Sequence, residues 1–140
     1  MPYGLGTLFS NNGYRTFAYH NYIGSYYNRK ESWKNLGFET MKFRGEGLSF
    51  ENVWCPSDLE LVQQVANDLL VIAGDSDSQN GISKFLMYWM TFSGHGPYTT
   101  ETYLYKKYNE VVREKLSDGG EKSTEYSDTE ISYLCANYDL

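Results

Sequence analysis

Apolar residues recur along the chain with two different spacings, and each spacing predicts a different kind of element. Three short segments rich in aromatic residues, 14–20, 38–43 and 84–92, are typical of β-strands. The segment at 84–92 is almost continuously apolar and lies between glycine-containing segments, which favours a strand buried on both faces. Two other segments, 57–72 and 102–116, carry apolar residues at helical spacing and are predicted to form amphipathic helices.

Polar residues at helix starts refine these bounds. Ser57 and Ser127 each stand three positions before a glutamate, which is the pattern of a capping box, and the second box predicts a further helix over 128–139. Asn28 is expected to cap a shorter helix over 28–36. Strands and helices then alternate, with two helices at the end. This order predicts a layered α/β/α fold with a mostly parallel sheet, in which the two longer strands are parallel.

Length and charge narrow the possible functions. A chain of 140 residues is enough for one domain with its own core, so residues 1–140 are predicted to form a single segment. Twelve Lys and Arg against 18 Asp and Glu give a net charge of −6, which argues against a nucleic-acid partner. No apolar run approaches the roughly 20 residues of a membrane span, and the first residues lack the pattern of a signal peptide. Cys55 and Cys135 are expected to be buried, unpaired thiols.

Side chains that can bind anions follow two of the predicted strands where each strand ends. His20 closes the first strand, and His95 follows the last one between two glycines. Because ligands of parallel sheets lie at the carboxyl ends of the strands, both histidines are expected at one edge, with Arg29 in the first turn of the next helix beside them. These three side chains and the helix N-terminus predict an anion pocket. The alternative is that each histidine is a buried structural residue.

No motif for a metal centre or an activated nucleophile is present in the sequence. Neither HExxH nor CxxC occurs, and there is no GxSxG, GxxxxGK[ST] or GxGxxG segment. The polar segment 73–83, an expected loop, contains an Asp75–Asp77 stretch similar to the start of a calcium loop. Position twelve of that loop is Leu86 rather than glutamate, so a calcium site is not predicted.

Four stretches of the chain together resemble one enzyme family. They are GYRTFAYHNYIGSYYNRKESWKNLGF (13–38), PSDLELVQQ (56–64), YWMTFSGHGPY (88–98) and YLCANYDL (133–140). Their order and spacing resemble the lipoteichoic acid synthase branch of the sulfatase and alkaline-phosphatase superfamily, over nearly the whole chain. The resemblance implies a sulfatase-like fold and an incomplete fragment, the central part of the catalytic domain of such an enzyme.

The resemblance also implies an activity and residue roles. Members are membrane-anchored enzymes with an extracellular catalytic domain, and they transfer glycerol phosphate from phosphatidylglycerol with a threonine nucleophile and a divalent cation, usually manganese. By the same resemblance, His20, Tyr27, Arg29 and His95 hold the phosphate-bearing head group, whereas Tyr22 stands where an acidic contact residue is common. The nucleophile and the metal ligands are expected outside this chain, so the fragment is expected to hold no cofactor and to be inactive alone.

Other functions remain open on the sequence. A sulfatase or another phosphoryl-transfer enzyme of the same superfamily would keep the fold and act on a different ester. The tyrosine-rich stretch 19–27 also suits a stand-alone glycan-binding module, because half-exposed tyrosines form platforms for sugars. A purely structural interaction domain is the simplest alternative.

Overall fold

The computed structural model describes residues 3–74, 84–119 and 125–139. The strands are β1 (Arg15–His20), β2 (Thr40–Arg44), β3 (Gly47–Leu48) and β4 (Phe85–Met90). The helices are α1 (Leu5–Ser10), α2 (Arg29–Asn35), α3 (Asp58–Gly74), α4 (Tyr103–Asp118) and α5 (Asp128–Tyr138), and a 3₁₀ turn at Tyr26–Asn28 precedes α2. The three predicted strands and four predicted helices are confirmed, and α1 and β3 are additional. All but the first two residues of the expected loop at 73–83, with its calcium-like stretch, lie outside the described residues.

The four strands form one parallel sheet in the order β3-β2-β1-β4. His20, the last residue of β1, is in register with Phe43 of β2 and with Met90 of β4. The prediction that the two longer strands are parallel is therefore confirmed. Because neighbouring strands run in the same direction, the carboxyl ends of β1, β2 and β4 lie at one edge of the sheet.

The prediction that the segment 84–92 is buried on both faces is wrong. All six residues of β4 are half-buried, whereas the last five residues of β1 are buried. The reason is topological, because β4 is the outer strand of the described sheet and pairs only with β1. Part of its apolar surface therefore stays accessible to solvent.

The chain divides into two compact units. The sheet unit comprises Met1–Ser49 and Glu60–Met90, and the helical unit comprises Phe50–Leu59 and Thr91–Leu140. All four strands lie in the sheet unit, and α4 and α5 lie in the helical unit. None of the described helices combines the length and the hydropathy that a membrane span requires.

Helices cover both faces of the sheet within the sheet unit. On one face, Trp33 of α2 stacks on Phe43 of β2 with 5.1 Å between ring centroids. On the opposite face, Phe17 and Tyr19 of β1 line a cavity of about 200 Å³ together with Ile72 of α3. Side chains alternate between the faces along a strand, so residues of β1 and β2 can serve both layers. The predicted α/β/α layering is confirmed.

The helical unit has a core of its own between α4 and α5. Its buried members are Val112, Ile131 and Cys135, and tyrosines and leucines pack around them. α5 begins with the predicted capping box. The backbone N–H of Glu130 donates to Oγ of Ser127 at 3.3 Å, and the carboxylate of Glu130 accepts from the N–H of Ser127 at 2.8 Å.

Candidate anion-binding site

Arg29, the first residue of α2, is held at the carboxyl end of β1 by His20. Nη1 of Arg29 lies 2.8 Å from Nε2 of His20, and Nδ1 of the buried His20 ring lies 2.8 Å from the carbonyl oxygen of Met90. Because a guanidinium can only donate, Nε2 accepts, and the ring proton is on Nδ1, where it donates to Met90. His20 is thus neutral in this arrangement. It fixes Arg29 and does not add a second positive charge.

The backbone before Arg29 is left-handed at two successive residues. Tyr27 has φ 51° and ψ 27°, and Asn28 has φ 53° and ψ 34°. Asparagine tolerates this conformation, but it costs a tyrosine roughly 1–2 kcal/mol, so the surrounding structure must impose it. Asn28 occupies the predicted N-cap position of α2, but its side chain does not make the expected capping hydrogen bond.

Two tyrosine rings contact the guanidinium of Arg29. Its Cζ lies 5.3 Å from the ring centroid of Tyr26 and 5.4 Å from that of Tyr27. Tyr27 is 74% exposed, so it forms an outer wall of this cluster. The hydrogen bond between the two tyrosine side chains raises the pKa of Tyr26. Contacts between a cation and aromatic faces orient the guanidinium without using its N–H donors.

Arg29 retains donors for a ligand. Apart from the bond to His20, its N–H groups have no acceptor among the described residues, and no carboxylate there forms an ion pair with it. A guanidinium carries five donors in a rigid plane, which suits the oxygens of phosphate and sulfate. The arrangement can therefore bind an oxyanion.

Arg44 brings a second guanidinium that the sequence pattern did not single out. Its Cζ lies 5.1 Å from the ring centroid of Tyr22, and the ring of Tyr22 meets that of Tyr26 edge-on at 5.1 Å. Arg44 is the last residue of β2, which is parallel to β1. The signal was present in the sequence, because the rule that placed His20 at the carboxyl edge applies equally to the end of the second strand.

His95 lies in the helical unit and is exposed. Its ring stacks on Phe92 with 4.8 Å between centroids and meets Trp54 edge-on at 5.3 Å. Nδ1 lies 2.7 Å from the carbonyl oxygen of Gly96, so Nδ1 carries a proton and donates. Nε2 has no hydrogen-bond partner in the described part of the chain. The imidazole is therefore held on two aromatic rings with one nitrogen available to a ligand.

The structure brings three of the four predicted site residues together. His20, Tyr27 and Arg29 form one cluster in the sheet unit, and His95 has a separate setting in the helical unit. The alternative was that each histidine is a buried structural residue. It fits His20, which is buried, and does not fit His95, which is exposed. That all four residues contact the same ligand stays a prediction.

Both cysteines are buried free thiols, as predicted. Sγ of Cys55 donates to the carbonyl oxygen of His95 at 2.9 Å, so this thiol helps to hold the backbone of the histidine. Burial, with a smaller contribution from the nearby Asp58, raises the pKa of Cys55 to about 11.

Cys55 is expected to react with a disulfide reagent about a hundredfold more slowly at pH 8 than free cysteine does. The thiolate is the reactive form, and a pKa near 11 leaves only about 0.1% of the thiol ionised at that pH. The measurement uses Ellman's reagent on the Cys135→Ala variant, in which Cys55 is the single thiol. The rate should still rise about tenfold per pH unit between 8 and 10. A rate equal to that of free cysteine in the folded protein would contradict the predicted burial.

The described residues do not fit a metal centre. No three of their His, Cys, Asp or Glu side chains come together in a way that could hold an ion. The divalent cation that the resemblance implies therefore has no ligand set among them, and the chemistry that these residues support is the binding of an anion.

Two comparisons with known proteins establish the family and the fold of this chain. A family model described as Sulfatase matches residues 2–136. The crystal structure of the lipoteichoic acid synthase LtaP from Listeria monocytogenes matches with a TM-score of 0.68 and 22% identity, over 96% of this chain and 29% of that one. This chain thus spans less than a third of the length of that protein, and no curated protein sequence matches it. At this identity the structural match establishes the fold, and the predicted resemblance to the sulfatase superfamily is confirmed in family and in fold. Since the family match extends over nearly all of its length, the chain belongs to the sulfatase family.

Proposed function

We propose that this chain is part of a phosphoglycerol transferase that acts on a phospholipid head group in the synthesis of a cell-envelope polymer of the lipoteichoic acid type. Its part in that enzyme is to bind the phosphate of the head group through His20, Tyr27, Arg29 and His95. Membership of the sulfatase family and the fold of a lipoteichoic acid synthase support the proposal. The whole enzyme is proposed to be anchored in the membrane with this part on the extracellular face. The divalent cation, by proposal manganese, is then bound by residues other than those described.

The observation that carries the proposal is the state of Arg29. Its guanidinium is fixed from behind by a neutral His20 and from the sides by two tyrosine rings, and its remaining N–H groups have no acceptor among the described residues. A partly desolvated guanidinium normally finds an anionic partner. An oxyanion of the substrate is the partner that the family chemistry supplies.

The expected affinity of the isolated chain is low. A charge-assisted hydrogen bond between Arg29 and a phosphate oxygen contributes about 1.5–3 kcal/mol. Millimolar affinity requires about 4 kcal/mol, so a second contact such as the one proposed for Nε2 of His95 is needed to reach it. Glycerol phosphate is therefore expected to bind at millimolar concentrations.

Replacing Arg29 by alanine is expected to weaken the binding of glycerol phosphate by about tenfold or more, because a contact of 1.5–3 kcal/mol is lost. Arg29→Lys should bind with intermediate affinity, since an ammonium keeps the charge and loses the forked geometry. The measurement is an NMR titration of the chain with glycerol phosphate. Arg15→Ala is the matched control, because Arg15 lies in the same unit and is already paired with Glu39 at 2.9 Å.

The same titration separates the alternative functions. Sulfate binding as tightly as glycerol phosphate, with both lost in Arg29→Ala, would favour a sulfate ester as the substrate. Binding of neutral glycans in both the wild type and Arg29→Ala would favour a glycan-binding module that uses the exposed tyrosines. Equal affinity of Arg29→Ala and the wild type for glycerol phosphate would contradict the proposed function.

A further inference from the structure

A buried carboxylate in the helical unit binds the backbone just before His95. Asp58, the first residue of α3, is 1% exposed. Its Oδ1 accepts the backbone N–H groups of Phe92 at 2.8 Å and of Ser93 at 3.0 Å, and its Oδ2 accepts the hydroxyl of Ser93 at 2.5 Å. Three hydrogen bonds from two successive residues fix the backbone of Phe92 and Ser93 within the helical unit.

The segment that Asp58 binds also supports the imidazole ring of His95. The ring of Phe92 stacks on the ring of His95 at an interplanar angle of 23°, and the backbone N–H of His95 donates to the carbonyl oxygen of Phe92 at 3.0 Å. The position of the His95 ring therefore depends on the position of Phe92. The position of Phe92 in turn depends on Asp58. The carboxylate of Asp58 is satisfied by its three hydrogen bonds without a ligand.

We propose that Asp58 is a positioning residue for His95: it orients Nε2 of the imidazole toward the anion through the backbone of Phe92 and Ser93. The proposal rests on the proposed function, because it takes the anion to be the ligand of Nε2. Asp58 itself contacts no ligand. The physical basis is that an imidazole ordered before binding loses less conformational entropy when the anion arrives.

The test uses the two histidines of the chain as separate NMR reporters. A ring stacked on Phe92 experiences a ring-current shift, so the His95 ring protons should resonate upfield of their usual positions in the absence of any ligand. In Asp58→Ala this upfield shift should disappear, and the dissociation constant of inorganic phosphate measured at His95 should rise about three- to tenfold. The ring signals of His20 should not change.

Two further variants test the mechanism. Asp58→Asn keeps an Oδ1 that can accept both backbone N–H groups, and its amide nitrogen can donate to Ser93. This variant should therefore keep the upfield shift and bind phosphate within about twofold of the wild type. Ser93→Ala removes one of the three hydrogen bonds and should lose part of the upfield shift. Ser93→Ala also decides the question if Asp58→Ala fails to fold.

Asp68→Asn is the matched control. Asp68 lies on the same helix in the sheet unit, where it pairs with Lys42 at 2.6 Å, so its loss weakens α3 without touching the His95 segment. The proposal is overturned if Asp58→Ala and Ser93→Ala keep the wild-type ring-current shift, or if Asp68→Asn removes that shift as fully as Asp58→Ala does. If phosphate fails to shift the His95 signals of the wild type, the proposed function is overturned, and the ligand-free ring-current shift still decides the role of Asp58.

Discussion

Gly6→Ala is expected to lower the free energy of unfolding by about 3 kcal/mol. Gly6 lies in α1, and a Cβ atom there would stand 2.5 Å from the carbonyl oxygen of Gly37 and 2.5 Å from the nitrogen of Phe38. These are backbone atoms that cannot rotate away. α1 would have to move, and the hydrogen bond from the N–H of Thr7 to the carbonyl oxygen of Leu36, 3.0 Å long, would break.

Substitutions of two other glycines are controls that distinguish the effect of this clash from the general effect of replacing glycine by alanine. Gly13 has φ +80° with open space around it, so Gly13→Ala should cost about 1–2 kcal/mol from backbone conformation alone. Gly74 ends α3 with no positive φ and no atom of the described residues within 4 Å of an added Cβ, and Gly74→Ala should be nearly neutral or slightly stabilising. Urea unfolding followed by circular dichroism measures all three. A Gly6→Ala protein as stable as Gly74→Ala would mean that α1 does not pack as closely as the structure has it.

The sequence predicted the elements whose signals are long or repeated. Helices α3 and α4 run for 17 and 16 residues, over which helical spacing of apolar positions can be recognised. The parallel sheet followed from the alternation of strands and helices, since neighbouring parallel strands need a crossover between them. The close approach of His20 and Arg29 then followed, because a strand end and the next helix start lie at the same edge.

Short elements gave no such signal. α1 has six residues and β3 has two, which is less than the span that a periodic pattern needs. α1 packs through small residues such as Gly6, and nothing in the local pattern shows which backbone that glycine approaches. The half-burial of β4 was equally hidden, because an apolar run does not reveal how many neighbours its strand has.

The backbone of the candidate site runs against local preference. Asn28 stands at the N-cap position of α2, yet its backbone is left-handed and its side chain makes no capping hydrogen bond. Tyr27 adopts the same conformation, which tyrosine disfavours, and its ring contacts Arg29 in consequence. Sequence reasoning assumes that each residue follows its own preference, so it fails where a site imposes a costly conformation.

Long-range polar contacts were also beyond prediction. The N-terminus of α3 carries a capping-box pattern at Ser57, and its first-turn N–H groups of Asp58 and Leu59 are bound by Asp139. That carboxylate is 81 residues away from Asp58 along the chain. A local pattern identifies where a helix begins, and it carries no information about a distant residue that will satisfy the same donors.

Asp139→Ala is expected to destabilise the helical unit by about 3–5 kcal/mol, the largest effect predicted for this chain. The side chain of Asp139 is fully buried. Its Oδ2 accepts the N–H groups of Asp58 at 2.7 Å and of Leu59 at 3.3 Å, and its Oδ1 accepts the hydroxyl of Tyr108 at 2.9 Å. Alanine leaves all three donors without this acceptor, and the N–H of Asp58, whose bond is buried, costs about 1–3 kcal/mol when unsatisfied, with smaller costs for the part-buried donors of Leu59 and Tyr108.

Asp128 provides the matched control at the other end of α5. It too accepts from a tyrosine hydroxyl, that of Tyr105 at 3.2 Å, and pairs with an arginine, Arg113 at 2.8 Å, but its side chain is 64% exposed. Asp128→Ala should therefore lower the free energy of unfolding by less than about 1 kcal/mol, because water can replace Asp128 as the partner of Tyr105 and Arg113. Urea unfolding gives both values, and hydrogen exchange at the Asp58 amide should accelerate in Asp139→Ala alone. If the two variants unfold at the same urea concentration, the buried carboxylate does not contribute what its three hydrogen bonds imply, since its burial and its two backbone donors are what distinguish Asp139 from Asp128.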